Sequence, residues 1–532
     1  MNHTGLPGRL TEDRRKENEN RSMYERVKSA GLRGIDGVLV DVEVNISNGL
    51  PCMEFTGMPG TEVREAGERV KAALHHAGIG LPAQRITLNL SPADFRKVGS
   101  AYDLPIAAVM LKALGELPSL PDDLLLLGEL GLDGTVRPVK GVLPILLYAK
   151  ENGITACAVP RKNAAEAALV DGMRVYAMND LSELKRIGAD EGLVFRDAGS
   201  CCGTVPERKD MRDIAGQEGL KRAVLTAAAG MHHLLMTGPP GSGKTMAAER
   251  IPGILPELTA EEKLELTKIY SVRGMLDPQR PMIETRPFRT VHDRMTLPAL
   301  LGGGRIAQPG EITLAHHGVL FLDEAPEFAR SALEALRTCM ESGEIVLNRL
   351  HGSCRYPARF MLVAAANPCP CGCYPDPDRC TCTPAQIRQY QRKISGPLLD
   401  RIDLQVSVER VDYRSIARTA RAGDAGKETM DSAKMRALVE AAAERQKYRF
   451  RGEQFRFNSE IPSGKIGRYC QMTKDAEQML GQAYESLGLT ARGYHRILKT
   501  ARTIADLDGA ERIGAEHISE ALSYRRGEDR WA

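Results

Sequence analysis

Three stretches of the chain carry a continuous apolar run, and a fourth carries helical spacing. His233-Leu-Leu-Met-Thr237, Gly318-Val-Leu-Phe-Leu322 and Phe360-Met-Leu-Val-Ala-Ala-Ala366 are short, apolar and bounded by turn residues. Such runs are expected of strands buried on both faces of a parallel sheet. Toward the C-terminus the pattern changes to helices over Asp475–Ser486, Ala491–Asp508 and Ala515–Tyr524. Ile497, Leu498, Ala501, Ile504 and Ala505 fall on one face, as in a packed bundle. Before these, from Met23 to about Ile187, strand and helix periods mix. Gly37–Ile46 alternates at period two, and Arg85–Leu90 reads as a second strand. Glu62–Gly78 places Val63, Ala66, Val70, Ala73 and Leu74 on one helical face, with a glycine at its end. Tyr102–Leu114 reads as a helix, and Leu124–Val136 as a hairpin turning at Asp133-Gly134.

The intervening stretches lack core-formers. Residues 1–22 are polar and charged and read as a disordered extension. Residues 188–209 are rich in small residues and read as a linker, with the adjacent Cys201 and Cys202 given no role. The domains expected are therefore 23–187 (α/β), 210–410 (parallel-sheet core) and 411–532 (helical), in keeping with a chain of 532 residues. Within the last of these, Ala422–Lys427 breaks a charged, helix-prone stretch. Tyr448-Arg-Phe-Arg-Gly-Glu-Gln-Phe-Arg-Phe457 interleaves aromatic and basic residues there. That run suits a half-buried strand or packing edge, or bases stacked over neutralised phosphates.

Composition adds limits more than identity. Hydrophobic residues at 42% and charged residues at 27% are ordinary for a globular protein. A net charge of +3 makes any nucleic-acid surface local. No apolar run approaches the roughly 18 to 20 residues of a membrane span, and the N-terminus does not read as a signal peptide. A cytoplasmic protein without membrane partners is expected. Its twelve cysteines then sit in a reducing compartment, where clustering suggests metal.

The chemistry begins right after the first apolar run. Gly238-Pro239-Pro240-Gly241-Ser242-Gly243-Lys244-Thr245 satisfies the G-x-x-x-x-G-K-[ST] phosphate loop and precedes a helix-forming run. Its glycines let backbone N–H groups curl around an anion, and the helix start adds positive dipole. Lys244 is expected on the β- and γ-phosphates of ATP, with Thr245 on Mg2+. The second apolar run ends in Asp323-Glu324, expected to hold the hydrated Mg2+ and to orient or deprotonate the attacking water, respectively. The third ends at Asn367, a candidate for placing that water against the γ-phosphate. Directly after it, Cys369-Pro-Cys371-Gly-Cys373 and Cys380-Thr-Cys382 place two C-x-C pairs around a short loop. They can supply four thiolates to a structural Zn2+, or remain free or redox-active thiols.

Several segments resemble a known family. Leu300-Leu-Gly-Gly-Gly304, Gln308–Gly318 and the phosphate loop look like the ComM/YifB branch of magnesium-chelatase-like AAA+ ATPases, and the likeness runs from Met23 onward. Gly128–Val142, with Tyr102–Ala107, resembles the Lon-protease-like domain of those ATPases. In Lon that fold carries a serine–lysine dyad. Those positions are Ala101 and about Leu143 here, with Ser100 and Lys140 off register, so protease activity is not expected. The resemblance implies a Lon-like N-terminal α/β domain, an AAA+ P-loop core and a C-terminal helical lid. Asp400-Arg-Ile-Asp403 resembles the family's arginine-finger segment, making Arg401 the residue that reaches a neighbour's γ-phosphate; an ion pair with Asp400 or Asp403 is the plainer reading. Thr490–Leu498 looks like the second sensor, with Arg492 on the γ-phosphate and Arg496 as runner-up. Cys369, Cys371, Cys380 and Cys382 match the family's cysteines, while Cys373 is extra. Val291-His-Asp-Arg-Met-Thr296 departs from the family pattern. The function implied is a homo-oligomeric, usually hexameric, ATPase. It would drive branch migration on single-stranded or branched DNA with recombination proteins, as in natural transformation. A magnesium-chelatase motor subunit and a protein remodeller are the alternatives.

Overall fold

The computed structural model describes residues 23–187, 193–195, 209–304, 307–349, 352–410 and 430–525. The expected extension 1–22, most of the linker 188–209 with Cys201 and Cys202, and the break at 422–427 lie outside the described residues.

The N-terminal part is a mixed seven-stranded sheet. β1 (Met23–Arg33) turns at Gly34, where φ is 71°, and runs back antiparallel as β2 (Asp36–Ser47). β3 (Cys52–Thr56), α1 (Thr61–His76), β4 (Arg85–Ser91), α2 (Asp103–Ala113), β5 (Leu124–Leu126), α3 (Val142–Glu151), β6 (Ala156–Pro160) and β7 (Arg174–Met178) follow. The sheet order is β3-β4-β2-β1-β5-β6-β7. The alternation in β2 buries Val40, Val42, Val44 and Ile46, and the apolar face of α1 is wholly covered. The expected Leu124–Val136 hairpin divides in two. Leu124–Leu126 pairs in parallel with β6, and only Glu129–Leu130 and Val136–Arg137 form the hairpin. Three consecutive leucines cannot alternate, and all three are buried. Part of the expected linker is also packed: Leu193 is buried, and Phe195 N–H donates to Val175 O at 2.8 Å.

The second sheet is parallel throughout. Its elements are α4 (Glu218–Gly230), β8 (Leu234–Thr237), α5 (Lys244–Ala248), α6 (Ala260–Arg273), β9 (Phe288–Val291), β10 (Val319–Leu322) and α7 (Arg330–Ser342). A separate antiparallel hairpin of β11 (Glu344–Arg349) and β12 (Gly352–Pro357) follows, and β13 (Met361–Ala366), α8 (Pro384–Gln391) and β14 (Leu404–Ser407) complete this part. The order β9-β10-β13-β8-β14 sets β13 between β8 and β10. All three expected apolar strands therefore lie side by side at the centre, with β10 and β13 buried at every position.

Helices α9 (Ser432–Arg449), α10 (Lys474–Ser486), α11 (Ala491–Leu507) and α12 (Ala515–Ser523) close the described chain. Ile497, Leu498, Ala501, Ile504 and Ala505 enter one core with Val224 of α4 and Leu234 of β8. The aromatic–basic run around residue 450 is neither a strand nor an open stacking surface. Phe450 and Phe457 are buried, Phe450 packs with Phe455 and Tyr469, and Arg456 pairs with Glu262. Of its aromatic rings only Tyr448 is exposed.

Candidate functional site

The loop between β8 and α5 owes its shape to its glycines. Gly241 and Gly243 have φ of 74° and 92°, which strain any side chain, and a Cβ on Gly238 would meet Val408 O at 2.2 Å. Lys244 begins α5 and folds back over the loop. Its Nζ donates to Gly238 O (2.7 Å), Pro239 O (2.9 Å) and Asn367 Oδ1 (3.3 Å). Burial lowers the pKa of Lys244, and the carboxylates of Asp323 and Glu324 pull it back up. Ser242 is buried with an Oγ that has no partner. An unsatisfied buried hydroxyl in a phosphate loop is a polar group suited to meet an incoming anion.

Asp323 and Glu324 extend β10 toward this loop. Thr245 Oγ1 donates to Asp323 Oδ2 at 3.0 Å, and Glu324 N–H donates to Asp323 Oδ1 at 3.1 Å. A hydroxyl and a carboxylate oxygen in contact, beside a phosphate cradle, are the donor set that Mg2+ takes alongside phosphates and water. Glu324 adopts a left-handed φ of 54°, a cost that a non-glycine residue bears only where the surroundings hold it. Asn367, at the end of β13, completes a cavity of about 370 Å3 with Lys244, Thr245, Asp323 and Glu324. Five of the residues predicted to act together are therefore brought together.

The cysteine segment abuts the same loop. The Sγ atoms of Cys369, Cys371 and Cys380 are 3.4, 3.7 and 3.8 Å apart, and Cys382 lies within 4.8 Å of all three. Tetrahedral ligands at a Zn–S distance of about 2.3 Å stand about 3.8 Å from one another. The spacing fits a metal held by four thiolates. Backbone N–H groups of Cys373 and Thr381 lower the pKa of the Cys371 thiol to about 5. Cys373 turns aside, toward Cys371 O at 3.6 Å. Between them Gly372, at φ 77°, lies so close to the phosphate loop that a Cβ would meet Pro240 Cδ at 2.5 Å. That contact has no signature in the sequence beyond a glycine between two cysteines.

Glu265, His316 and His317 also lie within metal-binding reach of one another. His316 Nδ1, however, accepts Arg359 N–H at 3.0 Å, so the neutral ring carries its proton on Nε2, facing Glu265 Oε2 at 3.3 Å. With its Nδ1 lone pair used, and its Nε2 near Glu265 without meeting hydrogen-bond geometry, His316 is not set up as a ligand. The adjacent imidazoles of His316 and His317, the latter hydrogen-bonded at 2.9 Å, hold the Glu265 carboxyl well below the usual range.

The predicted arginines lie apart from the cavity. Arg401 is buried, donating to Pro397 O and pairing with Glu341 of α7. Its expected partners were Asp400 or Asp403. Asp403 instead accepts from His233 N–H (3.1 Å) and pairs with Arg496 (3.4 Å) and His232 (3.3 Å). Against the upward push of burial, Arg496 and His232 hold the Asp403 carboxyl well below the usual range. Arg492, largely exposed, is 3.8 Å from the same Glu341. Glu341 thus joins both arginines, a role sequence reasoning missed because one glutamate in an amphipathic helix carries no local signal. Arg401, Arg496, Glu341 and Asp403 line a separate cleft of about 810 Å3.

Comparisons with known proteins match three stretches of the chain to family models. Residues 210–416 match the family described as magnesium chelatase, subunit ChlI. Residues 42–163 match subunit ChlI of Mg-chelatase, and residues 429–525 the ChlI C-terminal family. The chain is 41% identical over 508 residues to competence protein ComM of Haemophilus influenzae, covering 94% of this chain and 97% of that one. It is 40% identical over 500 residues to the uncharacterised protein YifB of Escherichia coli (94% and 96% covered). An uncharacterised protein of Mycobacterium tuberculosis is 44% identical over 505 residues (94% and 98% covered). A mixed α/β chain with a parallel sheet, a phosphate loop at its centre and this identity along its length belongs to the ComM/YifB-type magnesium-chelatase-like proteins.

Proposed function

We propose that the chain is an ATP-hydrolysing AAA+ motor that works as a ring, usually of six, on single-stranded or branched DNA. In this reading it drives branch migration during recombination. The observation that carries the ATPase is the meeting of Lys244, Thr245, Asp323, Glu324 and Asn367 in one cavity. Lys244 leaves its loop carbonyls to bind β- and γ-phosphate oxygens. Thr245 and Asp323 would hold Mg2+, which would neutralise phosphate charge. Glu324 takes or orients the proton of the attacking water while Asn367 positions that water.

The separation of the arginines supports the ring. Arg401 and Arg492 share Glu341, away from the phosphate-loop cavity of their own chain. A γ-phosphate presented by a neighbouring copy would compete with Glu341 for both, placing finger and sensor in trans. In the same reading residues 411–532 are the lid, residues 23–187 a Lon-like scaffold without protease activity, and the four thiolates hold a structural Zn2+ that stiffens the loop at Pro240. The DNA assignment is supported by the identity to a protein named for competence. No helix among the described residues is long and apolar enough to cross a membrane, in line with a cytoplasmic motor.

The test is ATP turnover without DNA and with single strands, duplex or a four-way junction, alongside the mass of the assembly with ATP. Stimulation by single-stranded or branched DNA in an ATP-dependent ring is expected. Turnover indifferent to every DNA would redirect the search to protein or porphyrin-enzyme partners.

A further inference from the structure

Beside the hydrolysis loop lies a groove of about 690 Å3, walled by the turn after Glu324 and by α8. Arg330, Arg388 and Arg392 line it, all exposed, and their guanidinium groups have no partner among the described residues. The one carboxylate in the lining, Glu327, is taken by Lys393 at 2.9 Å. The groove therefore sets four cations against a single acid. Helix stability accounts for only part of this. Arg388 lies in the last turn of α8, where the dipole welcomes a cation, and Arg392 follows at the C-cap. Arg330 opens α7, where the same dipole opposes it.

Both walls are bonded to the candidate active site. Glu327 N–H donates to Glu324 O at 2.8 Å. At the other wall the buried Gln391 at the end of α8 donates to Pro368 O at 3.1 Å, one residue beyond Asn367. A shift of Glu324 or Asn367 on hydrolysis would move the arginines.

We propose that this groove holds the sugar–phosphate backbone of a single nucleic-acid strand, an inference that rests on the DNA reading above. Planar, permanently charged guanidinium forks match phosphate oxygens in pairs. The apolar lining is confined to Pro326, Phe328 and Ala385, and Phe328 is buried, so the aromatic anchors of a protein-binding surface are missing. For the same reason bases would not stack there, and recognition would go through phosphates, independent of sequence. A space of this size takes a few nucleotides of one strand.

The experiment compares the full chain with its R330Q/R388Q/R392Q variant, with ATP, by anisotropy of a labelled oligothymidylate across a salt series. The variant is expected to bind about tenfold or more weakly near 0.1 M salt, with a log-affinity slope against log salt shallower by about 2, since each single-strand phosphate contact contributes about 0.7. DNA-free ATP turnover and the ATP-dependent mass should be unchanged. An unaltered slope and affinity would overturn the groove while leaving DNA binding intact. Loss of the assembled mass would make the arginines a contact between copies and would also overturn it. A wild-type chain that binds no DNA would sink both the groove and the DNA reading. Should the triple variant fail to fold, R330Q alone is expected to lower the slope by about 0.7, and no change would count against the proposal.

Discussion

The phosphate-loop cavity and the Arg401–Glu341 cleft carry opposite kinds of order. In the first, each functional group is set by adjacent backbone: loop glycines, the ends of two neighbouring strands, and a left-handed Glu324. Lys244 is satisfied only by loop carbonyls and Asn367, partners that an incoming phosphate can replace. In the second, two arginines lean on one glutamate, and Arg401 is buried in that pairing. One half of the proposed site is therefore ready within a single chain. The other, in the proposed ring, would be held in reserve by Glu341 until a neighbour's phosphate competes for its arginines.

The strongest way to break that contrast is to disable the prepared half. Lys244→Ala is expected to abolish detectable turnover together with nucleotide binding, whereas Glu324→Gln should slow phosphate release by about 100-fold or more while ATP stays bound. Phosphate release and retention of a labelled nucleotide separate the two. Wild-type turnover in Glu324→Gln would remove its role on the water.

The reserved half is tested by mixing. Arg401→Ala and Lys244→Ala chains should each be inactive alone, yet regain a measurable fraction of turnover in mixed assemblies, because an intact cavity then meets an intact arginine. No recovery would reduce Arg401 to a local partner of Glu341.

A smaller effect sharpens the link between cysteine segment and phosphate loop. Gly372→Ala drives a methyl into Pro240 and strains a left-handed backbone, at a cost of about 1–3 kcal/mol. ATP affinity should fall by about tenfold, read by titration calorimetry, with the fold intact by circular dichroism. Chelation of a bound metal should act in the same direction if the four thiolates hold the loop through that contact.

The smallest effect concerns pH. Burial lowers the pKa of His233 from 6.5 to about 4, and its Nδ1 accepts Leu362 N–H at 3.0 Å. Between those values the folded chain binds fewer protons than the unfolded one. The contribution is complete above pH 6.5 and fades as pH falls toward 4. Urea midpoints should fall over that window, and His233→Gln, which keeps an acceptor, should flatten part of the slope.

Much of the cavity was legible because its parts are local. A strand, a turn and a helix start in eight consecutive residues determine where the Lys244 amine can go, and an apolar strand must deliver Asp323 and Glu324 to its end. The helical face of α1 and the core face of α11 were legible for the same reason, since periodicity is a property of neighbours in sequence. Leu124–Leu126 misled because a short apolar run does not say which strand it pairs with. Tyr448–Phe457 stayed ambiguous, with packing edge the alternative that holds, because alternating aromatic and basic residues look alike whether the rings are stacked on bases or buried against Tyr469. Family, phosphate loop, acid pair and thiol spacing thus belonged to the sequence alone. Tertiary structure decided that Asn367 stands between Lys244 and the acids, that Gly372 braces Pro240, that Glu341 holds both arginines and that Arg330, Arg388 and Arg392 share one groove. Each of these joins residues far apart in the chain, and strand order and helix packing, which no local pattern encodes, bring them together.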